Sequence, residues 1–275
     1  MQTLFNRRLI SVKGDGVLNF LQGLVTQDTQ LLQSKNAIAS VFLNAKGRVI
    51  TDTIIYKQAD GFVLDVPQLH WDSISSYLVR HKLRSPITVN KIDNMVVAVS
   101  SGPSSFSDPR LPSLLPNREL IEVESSLDTS EPESYRYERF KLGVVEGQDI
   151  PADSIPVFYN FDLLNAISFN KGCYSGQELV TRTLRRGIVR KRLVAIQSSN
   201  KAAIAAGDAV TIGDKQVGSV FASQADVGLA VVQLDSASLN ERSQFCSSVT
   251  PLIDSELRIG DSVTGRLLVP GCCKS

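Results

Sequence analysis

Apolar positions along the first hundred residues alternate between two periods. Leu9 to Val12 reads as a short strand. From Asp15 and Gly16 the spacing becomes helical, with Val17, Leu21, Leu24 and Val25 on one face. Ala37 to Leu43 reads as a strand, Asn44 to Gly47 as a turn, and Arg48 to Tyr56 as the returning strand. Within it Val49, Thr51, Thr53 and Ile55 alternate with Ile50, Asp52, Ile54 and Tyr56. A further turn at Ala59 to Gly61 leads to the strand Phe62 to Val66. Pro67 opens a second helix, with Ile74, Leu78 and Val79 predicted to point inward, and it ends near Arg84 ahead of Pro86. Strands Ile87 to Ile92 and Met95 to Ser100 follow. Hairpins interleaved with two helices predict an α+β body, a mixed sheet with helices on one face.

Beyond residue 100 the pattern loosens. Residues 101–118, rich in proline and serine, read as a surface loop or mobile connection. Tyr135 to Leu142 starts a helix. From Arg192 onward short β-like runs are separated by glycine-containing turns: Leu193 to Gln197, Ala209 to Ile212, Val217 to Ala222, Gly228 to Leu234 and Ser262 to Val269. They predict a small all-β domain, a barrel. The expected division is residues 1–191 for the α+β body and 192–275 for the barrel, in keeping with the chain's 275 residues.

Composition changes this picture little: 43% hydrophobic and 21% charged residues are ordinary for a globular chain. A net charge of +1 argues against whole-protein attraction to nucleic acid or an anionic membrane. With no apolar run of about 18 residues, no membrane insertion is expected. The opening stretch to Ile10 is too short for a targeting sequence, so any presequence is expected to have been removed or never to have existed. The cysteines, Cys173, Cys246, Cys272 and Cys273, show no zinc spacing and suggest a reducing compartment. Cys272 and Cys273 read as part of a frayed tail.

Local charge is more informative. Residues 119–138 hold seven acids against Arg136 alone, and residues 171–192 hold seven cations against Glu178 alone. The basic segment contains Lys171-Gly172-Cys173-Tyr174-Ser175-Gly176-Gln177-Glu178. Two glycines around a cysteine make a tight turn where a backbone approaches a ligand or partner closely. A cation two residues from the sulfur favours the thiolate, the nucleophilic and metal-binding form. Gln177 and Glu178 suit the start of a helix or contact with a polar heterocycle. Trp71 reads as packing, with stacking on a flat ligand as the alternative.

This octapeptide, followed by Arg182, Gly187 and Arg190 to Arg192, resembles the signature of the YgfZ-type folate-binding-fold iron–sulfur assembly factors, nearest their mitochondrial Iba57/Caf17 branch. Gly47-Arg48 with Asp52, Lys82 to Arg84, Gly143 with Glu146-Gly147, and Asn160 with Asp162 carry the resemblance along the chain. It implies the fold of the glycine-cleavage aminomethyltransferase, with mixed-sheet ferredoxin-like subdomains around a central cavity, plus a C-terminal β-barrel. It implies a non-catalytic role in late maturation of [4Fe–4S] proteins in the mitochondrial matrix. The implied partners are A-type iron–sulfur carriers and client enzymes of the aconitase and lipoate-synthase kinds. Cys173 takes the position of the family's cysteine, supplying one ligand to a [2Fe–2S] or [4Fe–4S] cluster shared with a partner. Arg48, Asp52, Trp71, Asn160, Asp162, Arg182 and Arg190 are the implied folate or partner contacts. The sequence departs from the family's P-x-E-x-N at Phe158, which removes a carboxylate acceptor for the pterin of tetrahydrofolate, with Asp162 the nearest alternative. Two other readings are a tetrahydrofolate-dependent aminomethyl or one-carbon transferase and a basic-surface binding module.

Overall fold

The computed structural model describes residues 1–100, 102, 106–123, 130–185, 189–233, 242–253, 256–261 and 263–274. Gly187, Ser262 and part of the acidic stretch, residues 124–129, fall outside them. The chain forms two compact units. The first comprises residues 1–132, 146–153 and 164–177, and the second residues 133–145, 154–163 and 178–275.

The first unit is built on a five-stranded antiparallel sheet. Its strands are β2 (Arg7–Gly14), β3 (Ala37–Leu43), β4 (Val49–Gln58), β5 (Gly61–Pro67) and β6 (Ile87–Ile92), and its order is β3-β4-β5-β2-β6. Strands β1 (Gln2–Leu4), β7 (Met95–Ser100) and β8 (Asn117–Glu122) form a second sheet in the order β1-β7-β8. Helices α1 (Val17–Gln22) and α2 (Trp71–Lys82) cover one face of the large sheet. Val17, Leu21, Ile74 and Leu78 pack there against Ile10, Val12, Phe42, Ile55, Leu64 and Val66. Alternation along the strands thus becomes one continuous apolar layer. Val79 does not join it: the α2 stripe stops at Leu78, and Val79 is 47% exposed.

A second departure concerns the described part of the 101–118 stretch, from Phe106 onward. Far from a solvated loop, Asp108, Arg110, Leu111 and Leu115 are buried, and Phe106 pairs with Arg118 by backbone hydrogen bonds. The segment is held inside by charge. Arg118 Nε reaches Asp108 at 2.8 Å, and its two NH groups reach Asp65 and Glu146, each at 2.8 Å. Arg110 contacts Asp108 and Glu146, each at 2.6 Å. Arg7 bridges Asp65 at 2.5 Å and Asp52 at 2.6 Å. At least three guanidiniums and four carboxylates therefore share a buried network, and the planar arginine fork suits such multiple pairing.

The network sets an acid limit on stability. Burial alone would raise the Asp108 carboxyl, but Arg110 and Arg118 outweigh it and hold it at about 2, below the ordinary 3.8. The contribution of this group is fully present above pH 3.8 and is lost as pH falls through about 2. The urea midpoint is expected to hold down to about pH 4 and to fall between there and pH 2, and Asp108→Asn should lower it above pH 4 and flatten that fall.

The second unit is centred on a closed six-stranded barrel in the order β10-β11-β12-β9-β14-β13. With it are helices α3 (Glu133–Lys141) and α4 (Gln177–Arg185), the latter from Glu178 onward. The barrel strands are β9 (Lys191–Ser198), β10 (Ala209–Ile212), β11 (Lys215–Gln224), β12 (Val227–Gln233), β13 (Leu257–Ile259) and β14 (Val263–Leu267). Two helices here are absent from the strand-based reading: α5 (Arg242–Ile253) and α6 (Gly271–Lys274). They correct the frayed-tail expectation, because Cys273 of α6 forms a disulfide with Cys246 of α5. Cys272 is buried, and burial pushes its thiol up to about 11 although Arg242 and Arg192 oppose this. The reading of a reducing compartment did not anticipate this pairing, whose partners lie 27 residues apart in sequence.

Candidate functional site

Cys173 lies in the first unit, on a segment stitched to residues 23–27. Thr26 Oγ1 donates to the Ala166 carbonyl at 2.7 Å, and Gln27 Nε2 to that of Asn165 at 2.6 Å. The Ser168 amide donates to the Thr26 carbonyl and the Ser175 amide to the Gly23 carbonyl, each at 3.0 Å. Lys171 Nζ donates to the carbonyls of Val25 at 2.7 Å and Gln27 at 2.8 Å. Between these anchors Gly172 and Cys173 are exposed, and the sulfur is a free thiol.

The two glycines of the octapeptide differ. Gly176 adopts φ +79°, and a Cβ there would meet the Asn44 carbonyl oxygen at 2.5 Å and Leu43 Cβ at 2.9 Å. The chain turns back against the β3–β4 turn at a distance only glycine allows. Gly172 has open space around it. Gly172→Ala is therefore expected to leave the thermal midpoint within about 1 °C of wild type, which differential scanning calorimetry would check. Gln177 opens α4 and returns its side chain, Oε1 accepting from the Tyr174 amide at 3.3 Å. Tyr174 is buried under Lys171, which lies 5.1 Å from the ring centre. Burial pushes the Tyr174 phenol up to about 12. Glu178 and Arg182 are exposed on α4.

Lys171 thus has a mechanical role that sequence spacing did not show. Burial lowers its ammonium to about 8, against a smaller opposing pull from Asp28. Its bonds to two carbonyls strap the thiol-bearing loop to the body of its unit.

The remaining candidates are spread through the fold. Arg48 donates to the Asp153 carbonyl at 3.1 Å, and Asp52 belongs to the buried network and accepts from the Gly147 amide at 2.8 Å. Trp71 Nε1 donates to the Leu9 carbonyl at 2.9 Å, with Lys91 over its ring. In the second unit Asn160, at φ +61°, donates to the Leu193 carbonyl at 2.9 Å. Arg190 is exposed, whereas Arg192 is fully buried rather than facing a ligand. Its two NH groups grip both carboxylate oxygens of Asp162, at 2.6 and 2.9 Å. A pterin needs a free carboxylate for its amino and ring N–H groups. Phe158 has none, and Asp162 has both oxygens engaged by Arg192. The residues at these two positions do not fit tetrahydrofolate.

Fold and site together define a class: an aminomethyltransferase-like α+β chain with a C-terminal barrel and one exposed loop thiol. The glycine cleavage system aminomethyltransferase T from Bartonella henselae superposes with a TM-score of 0.66, over 96% of this chain and 83% of that one, at 15% identity. Residues 190–263 match the family described as the CAF17 C-terminal beta-barrel domain. More specifically, the chain is similar to proteins named iron-sulfur cluster assembly factor IBA57 homolog, mitochondrial. That of Pyricularia oryzae is 34% identical over 70% of this chain and 55% of the relative, and that of Neurospora crassa 33% over 70% and 52%. The chain spans about half the length of these curated relatives.

Proposed function

We propose that this chain is an iron–sulfur cluster assembly factor acting in mitochondria. It serves the late maturation of [4Fe–4S] proteins, with A-type carriers as cluster donors and enzymes of the aconitase and lipoate-synthase kinds as clients. The observation that carries this reading is the setting of Cys173: an exposed free thiol on a loop strapped at Lys171 and locked at Gly176. Among the described residues no group of three or more metal-ligating side chains occurs, so one cysteine needs a partner's ligands to complete an iron's coordination. A pinned loop holds the sulfur in place for that second molecule, and thiolate is the form that binds iron. The cluster is cargo in this scheme.

The test mixes the chain with a reduced A-type carrier and a [2Fe–2S] source, then records visible absorption and native mass. Wild type is expected to give a cluster-bridged complex and Cys173→Ala none. A bridged complex of equal yield from the variant overturns the ligand role.

A further inference from the structure

The turn after α2 carries a leucine where the backbone favours glycine. The Ser85 amide donates to the Lys82 carbonyl at 2.9 Å, closing a turn over residues 82–85. Leu83, its second residue, has φ 48° and ψ −119°. That is the corner of a type II′ turn, a conformation strained for any residue with a Cβ. The side chain is 81% exposed. Val79 stands four residues earlier, one helical turn away, and is also exposed. Arg80, Lys82 and Arg84 adjoin these two residues in sequence, and the sequence holds no acid between Asp72 and Asp93. Among the described residues none of these three cations forms an ion pair. Backbone strain together with solvent-exposed apolar surface weakens the fold, and glycine at 83 would remove both. A residue held at a cost to stability, in contact with water, is best explained by what it touches in a complex.

Position narrows the partner. β6 begins at Ile87, which pairs with Gly14, whereas Gly176 packs on the turn between Leu43 and Val49. These are opposite ends of the five-stranded sheet, about 25 Å apart at the usual rise per residue. We propose that Val79 and Leu83, with their basic collar, dock a second protein, the client that receives the cluster. Its surface offers carboxylates around an apolar cleft, and it is large enough to reach from this corner to Cys173. The proposal rests on the assembly-factor reading above.

The test uses the full chain, a cluster-loaded A-type carrier and apo-aconitase as the probe client. Leu83→Gly is expected to raise the thermal midpoint by about 2–4 °C. It should leave the cluster-bridged complex with the carrier unchanged and slow cluster transfer to the client about tenfold. The double variant Arg80→Glu, Arg84→Glu should slow transfer similarly and flatten its dependence on salt. A Leu83→Gly chain that transfers at the wild-type rate overturns the docking proposal and leaves the assembly reading standing. A wild-type chain that forms no bridged complex and speeds no transfer overturns that reading, and the docking proposal with it.

Discussion

Arg118→Leu is expected to destabilise the chain by about 3–5 kcal/mol, the largest effect of any single substitution considered. Arg118 is fully buried and donates to Asp65, Asp108 and Glu146. Leucine restores none of these bonds and leaves Asp65, Asp108 and Glu146 each short of one guanidinium. Removing one member of a buried network exposes the others to the full desolvation penalty, which exceeds the gain from one more apolar side chain. Urea titration followed by tryptophan fluorescence is suited to the measurement, since Trp71 lies in the same unit. The exposed Lys13–Asp60 pair is the control, and Lys13→Ala should shift the midpoint very little. An Arg118→Leu midpoint as high as that of Lys13→Ala would refute the structural role given to the network.

Gly176→Ala is the second large effect, and it links fold to site. An alanine Cβ at φ +79° stands 2.5 Å from the Asn44 carbonyl oxygen, a contact that real side chains do not make. Asn44 cannot yield easily, because its carbonyl accepts from the Gly47 amide at 2.9 Å and its Oδ1 accepts from the amides of Lys46 and Arg48. The octapeptide must move instead, and Cys173 with it. The expected outcome is a loss of about 2–3 kcal/mol of stability with complete loss of the cluster-bridged complex. Gly172→Ala, one residue from the sulfur but free of contacts, should lose neither. Equal behaviour of the two variants would mean that the turn does not position the thiol.

Much of this was legible in the sequence. The period-two runs from Ala37 to Val66 became the hairpins of the large sheet, and the glycine-punctuated runs after Arg192 became the barrel. The octapeptide pointed to an exposed cysteine, and local chemistry is enough for such a motif. The buried network was not legible, because its members at positions 7, 52, 65, 108, 110, 118 and 146 meet only through topology. One trace exists: Asp65 stands between Leu64 and Val66 in a buried strand, where an acid requires a partner. Lys171 was read for its closeness to the sulfur in sequence, but the tertiary fold offers it two carbonyls from residues 25 and 27. Val79 fitted the helical period yet fell just outside the apolar stripe, so periodicity alone assigned it to the core. The helix α5, with a polar run through its first turns, gave no strand-like signal and hid the partner of Cys273.

The proposed assembly role requires a carrier's cluster to meet the thiol of Cys173. Iodoacetamide labelling of the native chain, read by peptide mass spectrometry, tests it most directly. With the chain alone, Cys173 should be alkylated quickly and the buried Cys272 spared. Adding cluster-loaded carrier should protect Cys173, and adding carrier without a cluster should not. Labelling of Cys173 that proceeds at one rate in all three mixtures would contradict the account.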